Sequence, residues 1–301
     1  MLIEQIKLDV PYEKLHLNKP EEEIQFTGYI LQNSQEYCPD RKRPALIICP
    51  GGGYRFTSAR EATPIALEFV AKGISCFVLR YSVQPNQFPT ALLELCTAVK
   101  TIRDNHQLWN IDPDKIVVCG FSAGGHLAAS LGVFWNHDLL APINSSVEQD
   151  MLTPINSSIE QDMLTPINIS AEQFKPNALI LCYPVITAGE YAHSNSFINL
   201  LGEERADIAT QRDIVSLEKH VSSSMSPTFI WHTYSDPAVP VENSLLLASA
   251  ITAYKVPLEL HIYPQGGHGL SLANELVNKS IKNVPTVNSW IHFAFEFIKN
   301  L

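Results

Sequence analysis

The chain has 301 residues, 46% of them hydrophobic, with a mean hydropathy near zero, enough apolar material for one large core. A formal charge of −10 argues against nucleic acid or an anionic membrane, which need a positive surface, and no apolar run approaches the length of a membrane span. Six cysteines (Cys38, Cys49, Cys76, Cys96, Cys119 and Cys182) lack C-x-x-C spacing. They read mostly as buried thiols, which predicts a cytoplasmic protein without a disulfide framework or a metal site.

Residues 1–7 read as a short strand, since they lack the basic start and apolar block of a signal peptide. Further strands are predicted at 23–31, 45–49, 74–81, 115–119, 178–182, 228–232 and 258–263. Between them Leu92, Leu95, Cys96, Val99 and Ile102 recur at helical spacing, as do Trp290, Phe293, Phe297, Ile298 and Leu301 at the end of the chain. Short strands alternating with helices predict a mostly parallel sheet with helices on both faces. The first strands, with no helix between them, are expected to form an antiparallel hairpin at one edge.

After the third strand comes Pro50-Gly51-Gly52-Gly53-Tyr54. Glycines there let the backbone approach a substrate oxygen and turn its N–H groups inward. No Gly-Lys-Ser/Thr follows, which excludes a P-loop, and G-x-G-x-x-G is absent, which excludes a dinucleotide fingerprint.

The strand at 115–119 runs into Gly120-Phe121-Ser122-Ala123-Gly124, and helix-like sequence follows from His126. A G-x-S-x-G turn between strand and helix is the setting of a nucleophile elbow: the serine adopts strained dihedrals, its neighbours must be small, and the helix start aims N–H groups at a reacting carbonyl. Ser122 is therefore the candidate nucleophile. Ala123, with Gly52 and Gly53, is the candidate oxyanion hole.

Residues 143–154 are repeated almost unchanged at 155–166, and a decayed third copy starts at Ile167. So few twelve-residue units cannot build a solenoid. They read as a tandem duplication in a loop or cap, which chain entropy tolerates because closure cost grows only logarithmically with length. A neutral surface insertion is the expectation, with a lid as the alternative.

A carboxylate just past a strand end sits where such sheets bind ligands, and Asp236 follows the strand at 228–232. His268 follows the last strand within Gly266-Gly267-His268-Gly269, where glycines let an imidazole swing over the sheet edge. The order Ser122, Asp236, His268 is that of the α/β-hydrolases. Among the ten histidines, His126 and His232 are expected to be structural, and Asp213 to be a surface group.

Together Pro50–Tyr54, Gly120–Leu127, Asp236–Pro240 and Gly266–Leu270, with Arg60-Glu61 and Leu79–Val83, resemble the bacterial α/β-hydrolase acetylesterases, in particular the branch associated with acetyl xylan esterases. Lipase-like relatives carry His where this chain has Pro50. The resemblance implies an α/β-hydrolase fold with a mostly parallel central sheet flanked by helices on both faces. Residues 1–301 would form one domain, with the duplicated insertion at about 143–174. The implied activity is that of a serine esterase on short-chain, acetyl, esters of carbohydrates or related small molecules. Ser122, Asp236 and His268 would be the triad, with no cofactor and no metal. Partners would be a small-molecule or oligosaccharide ester, without nucleic acid or membrane; a homo-oligomer is left open. The alternatives are an aryl or feruloyl esterase, an amidase such as an arylformamidase, and a catalytically silent binding protein. With an imidazole as base, activity is expected to rise as pH passes the ordinary histidine value of about 6.5.

Overall fold

The computed structural model describes residues 1–144, 171–278 and 284–301. Its centre is an eight-stranded sheet in the order β1-β2-β4-β3-β5-β6-β7-β8. The strands are β1 (Leu2–Gln5), β2 (Gln25–Ile30), β3 (Arg43–Cys49), β4 (Ser75–Arg80), β5 (Ile111–Phe121), β6 (Ala178–Cys182), β7 (Thr228–Thr233) and β8 (Leu258–Tyr263). β1 pairs antiparallel with β2, and β2 with β4. Every pairing from β4 through β3 to β8 is parallel. The architecture is that of an α/β-hydrolase.

Two details depart from the pattern read in the sequence. The edge hairpin is present, but a short 3₁₀ turn, Tyr12–Leu15, lies between its strands, and β2 runs beside β4 rather than β3. β5 begins at Ile111, earlier than the apolar run, because an Asp-Pro-Asp segment interrupts it. The Asp114 N–H donates to Asp112 Oδ1 at 3.1 Å, a local turn that accompanies a register shift against Arg43 and Ala45.

The central strands are apolar on both faces because both are covered. In β3, Ala45, Ile47 and Cys49 point into one cluster and Leu46 and Ile48 into the other, as the two-residue period of a strand requires. The first cluster is completed by α2 (Thr90–Asp104) and α3 (Ala123–Phe134); the second by α1 (Thr63–Val70) and the C-terminal helix Trp290–Lys299. Trp290 is fully buried there and stacks on Trp231 of β7. Five of the six cysteines are buried and Cys38 is exposed. The duplicated segment lies, except for its ends, outside the described residues. Among the described residues, no helix is long and apolar enough to cross a membrane.

Candidate active site

The parallel strands bring the ends of β3, β5, β7 and β8 to one edge of the sheet, and the loops after them carry the candidate residues. Ser122 sits between β5 and α3 with φ 53° and ψ −116°, a conformation that non-glycine residues avoid. Three hydrogen bonds fix this strained turn. The Ser122 N–H donates to Cys182 O (3.0 Å), while Val185 N–H and His126 N–H donate to Ser122 O (both 3.1 Å). Its neighbours have no room for a side chain: a Cβ on Gly120 would stand 2.1 Å from Gly124 O, and one on Gly124 would stand 2.1 Å from Cys49 O.

The structure brings Ser122, His268 and Asp236 together. Ser122 Oγ lies 2.8 Å from His268 Nε2, and His268 Nδ1 lies 2.7 Å from Asp236 Oδ2. With Asp236 ionised, Nδ1 carries the proton and Nε2 accepts from the serine hydroxyl. The Asp236 side chain is fully buried, whereas that of His268 is 23% exposed. The other carboxylate oxygen, Oδ1, accepts the Ala238 and Val239 N–H groups at 2.9 and 3.0 Å. Burial opposes ionisation of Asp236. Hydrogen bonds from His232 and His268, the His268 charge and the Val239 N–H outweigh it, and hold the carboxyl well below the ordinary carboxylate range.

Gly52 and Gly53 wall the same cavity as Ser122 and His268, a space of about 820 Å³. Both have positive φ, 133° and 64°. The loop's carbonyls are engaged elsewhere: Ser58 N–H donates to Gly51 O, Arg55 N–H to Gly52 O, and Asn199 Nδ2 to Gly53 O. The loop has two anchors in place of a histidine. Pro50 O accepts from the Tyr81 hydroxyl at 2.7 Å, and the Gly51 N–H donates to the buried Glu61 carboxylate at 2.8 Å. Ala123, also fully buried, opens α3 directly behind Ser122.

His126 is structural, as expected. It accepts from the Tyr54 hydroxyl, donates to Val215 O, and is pushed by burial down to about 4, so it stays neutral. Asp213 pairs on the surface with Lys219. Several residues near the site were given no role in the sequence. Glu61, His193, Asn195 and Asn199 line its cavity, and the buried Tyr183 donates its hydroxyl to Glu61. The signal for Glu61 in the sequence is the Arg60-Glu61 pair that forms part of the resemblance, ten positions after Gly51. His193 is kept below the ordinary imidazole value by burial and then by the nearby His268. Among the described residues, no group of three or more His, Cys, Asp or Glu is placed to hold a metal ion.

Residues 34–251 match the BD-FAE family. The chain belongs to that family. Over 247 residues it is 36% identical to endo-1,4-beta-xylanase B of Butyrivibrio fibrisolvens, covering 78% of this chain and 34% of that protein. Over 229 residues it is 28% identical to the acetylxylan esterase of Xylanibacter ruminicola, covering 75% of this chain and 40% of that protein. The chain thus spans well under half the length of either relative. Its fold resembles that of the acetyl ester-xyloside bifunctional hydrolase from Caldicellulosiruptor lactoaceticus, with TM-score 0.78, 34% identity, and coverage of 99% of this chain and 96% of that one. The carboxylesterase Cest-2923 from Lactobacillus plantarum gives TM-score 0.77 and 26% identity, covering 100% of this chain and 98% of that one.

Proposed function

We propose that this BD-FAE family member is a serine esterase that removes short acyl groups, acetyl first among them, from carbohydrate esters. The observation that carries this reading is the hydrogen-bonded series Ser122–His268–Asp236, at 2.8 and 2.7 Å, opening into the cavity. His268 takes the Ser122 proton as the hydroxyl attacks the ester carbonyl, and Asp236 keeps Nδ1 protonated and steadies the imidazolium that forms. The developing oxyanion is met by the N–H groups of Ala123 and of Gly52 or Gly53. His268 then gives its proton to the leaving alcohol. Water, deprotonated by the same imidazole, cleaves the acyl-enzyme and restores Ser122.

Three features favour a carbohydrate alcohol. The cavity wall is rich in polar side chains that can meet hydroxyl groups: Arg55, Gln84, His193, Asn195 and Asn199. A second cavity of about 680 Å³ adjoins the first at Arg55 and Gln84, which line both. The names of the two relatives are those of xylan-active proteins. Unpaired thiols fit a cytoplasmic site of action.

The test is hydrolysis of p-nitrophenyl esters of increasing acyl length beside acetylated xylo-oligosaccharides, with Ser122→Ala as control. Preference for acetate, release from the sugars and loss of nearly all turnover in Ser122→Ala are expected. Preference for long or aryl acyl groups would retain the serine chemistry and discard the substrate. Undiminished hydrolysis by Ser122→Ala would discard the mechanism. No turnover and no labelling by a serine-reactive phosphonate would leave a silent binder.

A further inference from the structure

At the inner wall of the cavity Glu61 and Tyr183 make a buried contact that the esterase reaction does not use. Glu61 is 3% exposed, and its two carboxylate oxygens serve two different loops. Oε2 accepts the Gly51 N–H at 2.8 Å, at the entry to the glycine loop. Oε1 accepts the Tyr183 hydroxyl at 2.6 Å. That hydroxyl in turn accepts the Ser271 N–H at 3.0 Å, three residues beyond His268. The Tyr183 ring packs against the His268 imidazole with centroids 5.1 Å apart and planes at 71°. One carboxylate and one phenol therefore span the gap between the proposed oxyanion donors and the proposed base.

Tyr183 is held in an unusual way for a residue whose only task is to fill space. It directly follows β6, whose last residue, Cys182, accepts the Ser122 N–H. Its φ is +38°, in a region that a bulky residue enters only when its surroundings compel it. The surroundings do so: its N–H donates to Trp231 O at 2.7 Å, and its ring meets Trp231 edge-on. Burial, then the Glu61 charge, raise the hydroxyl well above its ordinary value, so the phenol keeps the proton it donates. Ser271 is fixed a second time, through its hydroxyl on Arg60 O at 2.5 Å, next to Glu61 in sequence. A Cβ on Gly51 would stand 2.8 Å from Glu61 Oε2 and 3.0 Å from the Ser122 Cβ, so carboxylate, loop and nucleophile are in close register.

We infer that Glu61 and Tyr183 are positioning residues that set the glycine loop and the His268 loop against each other, so that oxyanion donors and general base are aligned on Ser122 together. The inference rests on the esterase reading above. Displacing such groups by about 1 Å is enough to cost roughly a hundredfold in rate without removing a catalytic atom. Because the pair acts as one strut, breaking it at either end has the same consequence.

The experiment is a double-mutant cycle, Glu61→Gln with Tyr183→Phe, on p-nitrophenyl acetate, with kcat, KM and Tm measured for each protein. Glu61→Gln keeps the shape but turns an N–H group toward one of the two donors; Tyr183→Phe removes only the hydroxyl. Both are expected to lower kcat about tenfold or more with KM within about twofold, and the double variant to be no slower than the slower single. A structural role alone would lower Tm and the amount of folded enzyme and leave kcat per labelled serine at the wild-type value, which would overturn the inference. Additive losses, or losses confined to KM, would overturn it as well. If Glu61→Gln does not fold, Tyr183→Phe decides alone on the same kcat criterion. Should wild-type turnover prove independent of Ser122, the esterase mechanism falls and this inference falls with it. Unchanged kcat in variants of a Ser122-dependent enzyme overturns the inference only.

Discussion

His232 and Asp236 meet inside the protein: the imidazole Nε2 lies 3.4 Å from carboxylate Oδ2, and both side chains are fully buried. The same Nε2 lies 3.0 Å from Val239 O, and Nδ1 accepts from the Ser244 hydroxyl at 2.7 Å. The tautomer follows from these partners. Nε2 carries the proton and directs it toward the Asp236 turn, so His232 supports the carboxylate from behind while His268 engages it from the cavity side. Asp236 consequently has donors on both oxygens.

From this environment follows a prediction for Asp236→Asn. An amide keeps the shape but cannot hold the His268 tautomer, so kcat is expected to fall by about 10³–10⁴-fold with the fold intact. The stability effect has a definite sign. A carboxyl depressed in the folded state stabilises above its ordinary value of 3.8, and that stabilisation is lost as pH falls below it toward the depressed folded value. The Tm gap between wild type and Asp236→Asn should thus be wider at pH 7 than at pH 3. An equal gap at both would mean that the carboxylate is not held by these donors.

Glu94 of α2 is fully buried. It accepts the Ser82 N–H and hydroxyl at 2.7 and 2.5 Å and the Tyr12 hydroxyl at 3.0 Å. Burial pushes its carboxyl up to about 7 from 4.5, although the Ser82 and Tyr12 hydrogen bonds pull the other way. With the folded value raised, its contribution to stability is complete below about 4.5 and is lost as pH rises through about 7. Glu94→Gln fixes the neutral form. Relative to wild type it should raise Tm by a few degrees more at pH 8 than at pH 5, on the scale of 2–4 °C per kcal/mol for a domain of roughly this size. A Tm difference that does not change between those pH values would show that Glu94 is not titrating there.

The two glycines proposed as oxyanion donors should not be equivalent. A Cβ on Gly52 would stand 2.0 Å from Phe56 O, a backbone atom that cannot step aside, and φ is +133°. At Gly53 the nearest atom is Ser196 Oγ at 3.6 Å, and the penalty is the left-handed φ of +64° alone, about 1–2 kcal/mol. Gly52→Ala should therefore lower kcat/KM for p-nitrophenyl acetate by about 10²–10³-fold, the loss expected of a displaced oxyanion donor. Gly53→Ala should retain the larger share of kcat/KM. The reverse ranking would mean that the loop turns differently around the oxyanion.

The sequence exposed those parts of the fold and site whose signals are local. Ser122 and His268 are 146 positions apart and 2.8 Å apart in space, yet each could be found singly, from a strand end and the glycines beside it. The two-faced apolar runs of β3, β5, β6 and β7 likewise declare a covered parallel sheet. Glu61 could not be assigned a role in that way, because its hydroxyl partner is 122 residues distant and meets it only through the order of the sheet. The start of β5 was hidden by Asp112-Pro113-Asp114, whose turn chemistry masks a strand that continues across it. Nor does any local pattern tell β2 to pair with β4 rather than with β3, the next strand in the chain.

The last prediction concerns substrate length. The cavity at Ser122 and its neighbour share Arg55 and Gln84, and the neighbour is walled farther out by Asn18, Lys19, Arg80 and Asn86. Arg80 is tied to Thr57 O and Oγ1, which fixes one wall, whereas Asn18 and Lys19 are exposed and can bend toward a ligand. If the alcohol is an oligosaccharide, a chain lying over Arg55 and Gln84 would reach these groups with its second or third ring. kcat/KM for acetyl release should then rise about tenfold from acetylated xylose to acetylated xylotriose, the effect of about 1.4 kcal/mol of added binding. Asn18→Ala with Lys19→Ala should flatten that rise while p-nitrophenyl acetate, too short to leave the first cavity, is turned over as before. A rise that survives the double substitution would send the sugar chain out of the other side of the cavity, past His193 and Asn195.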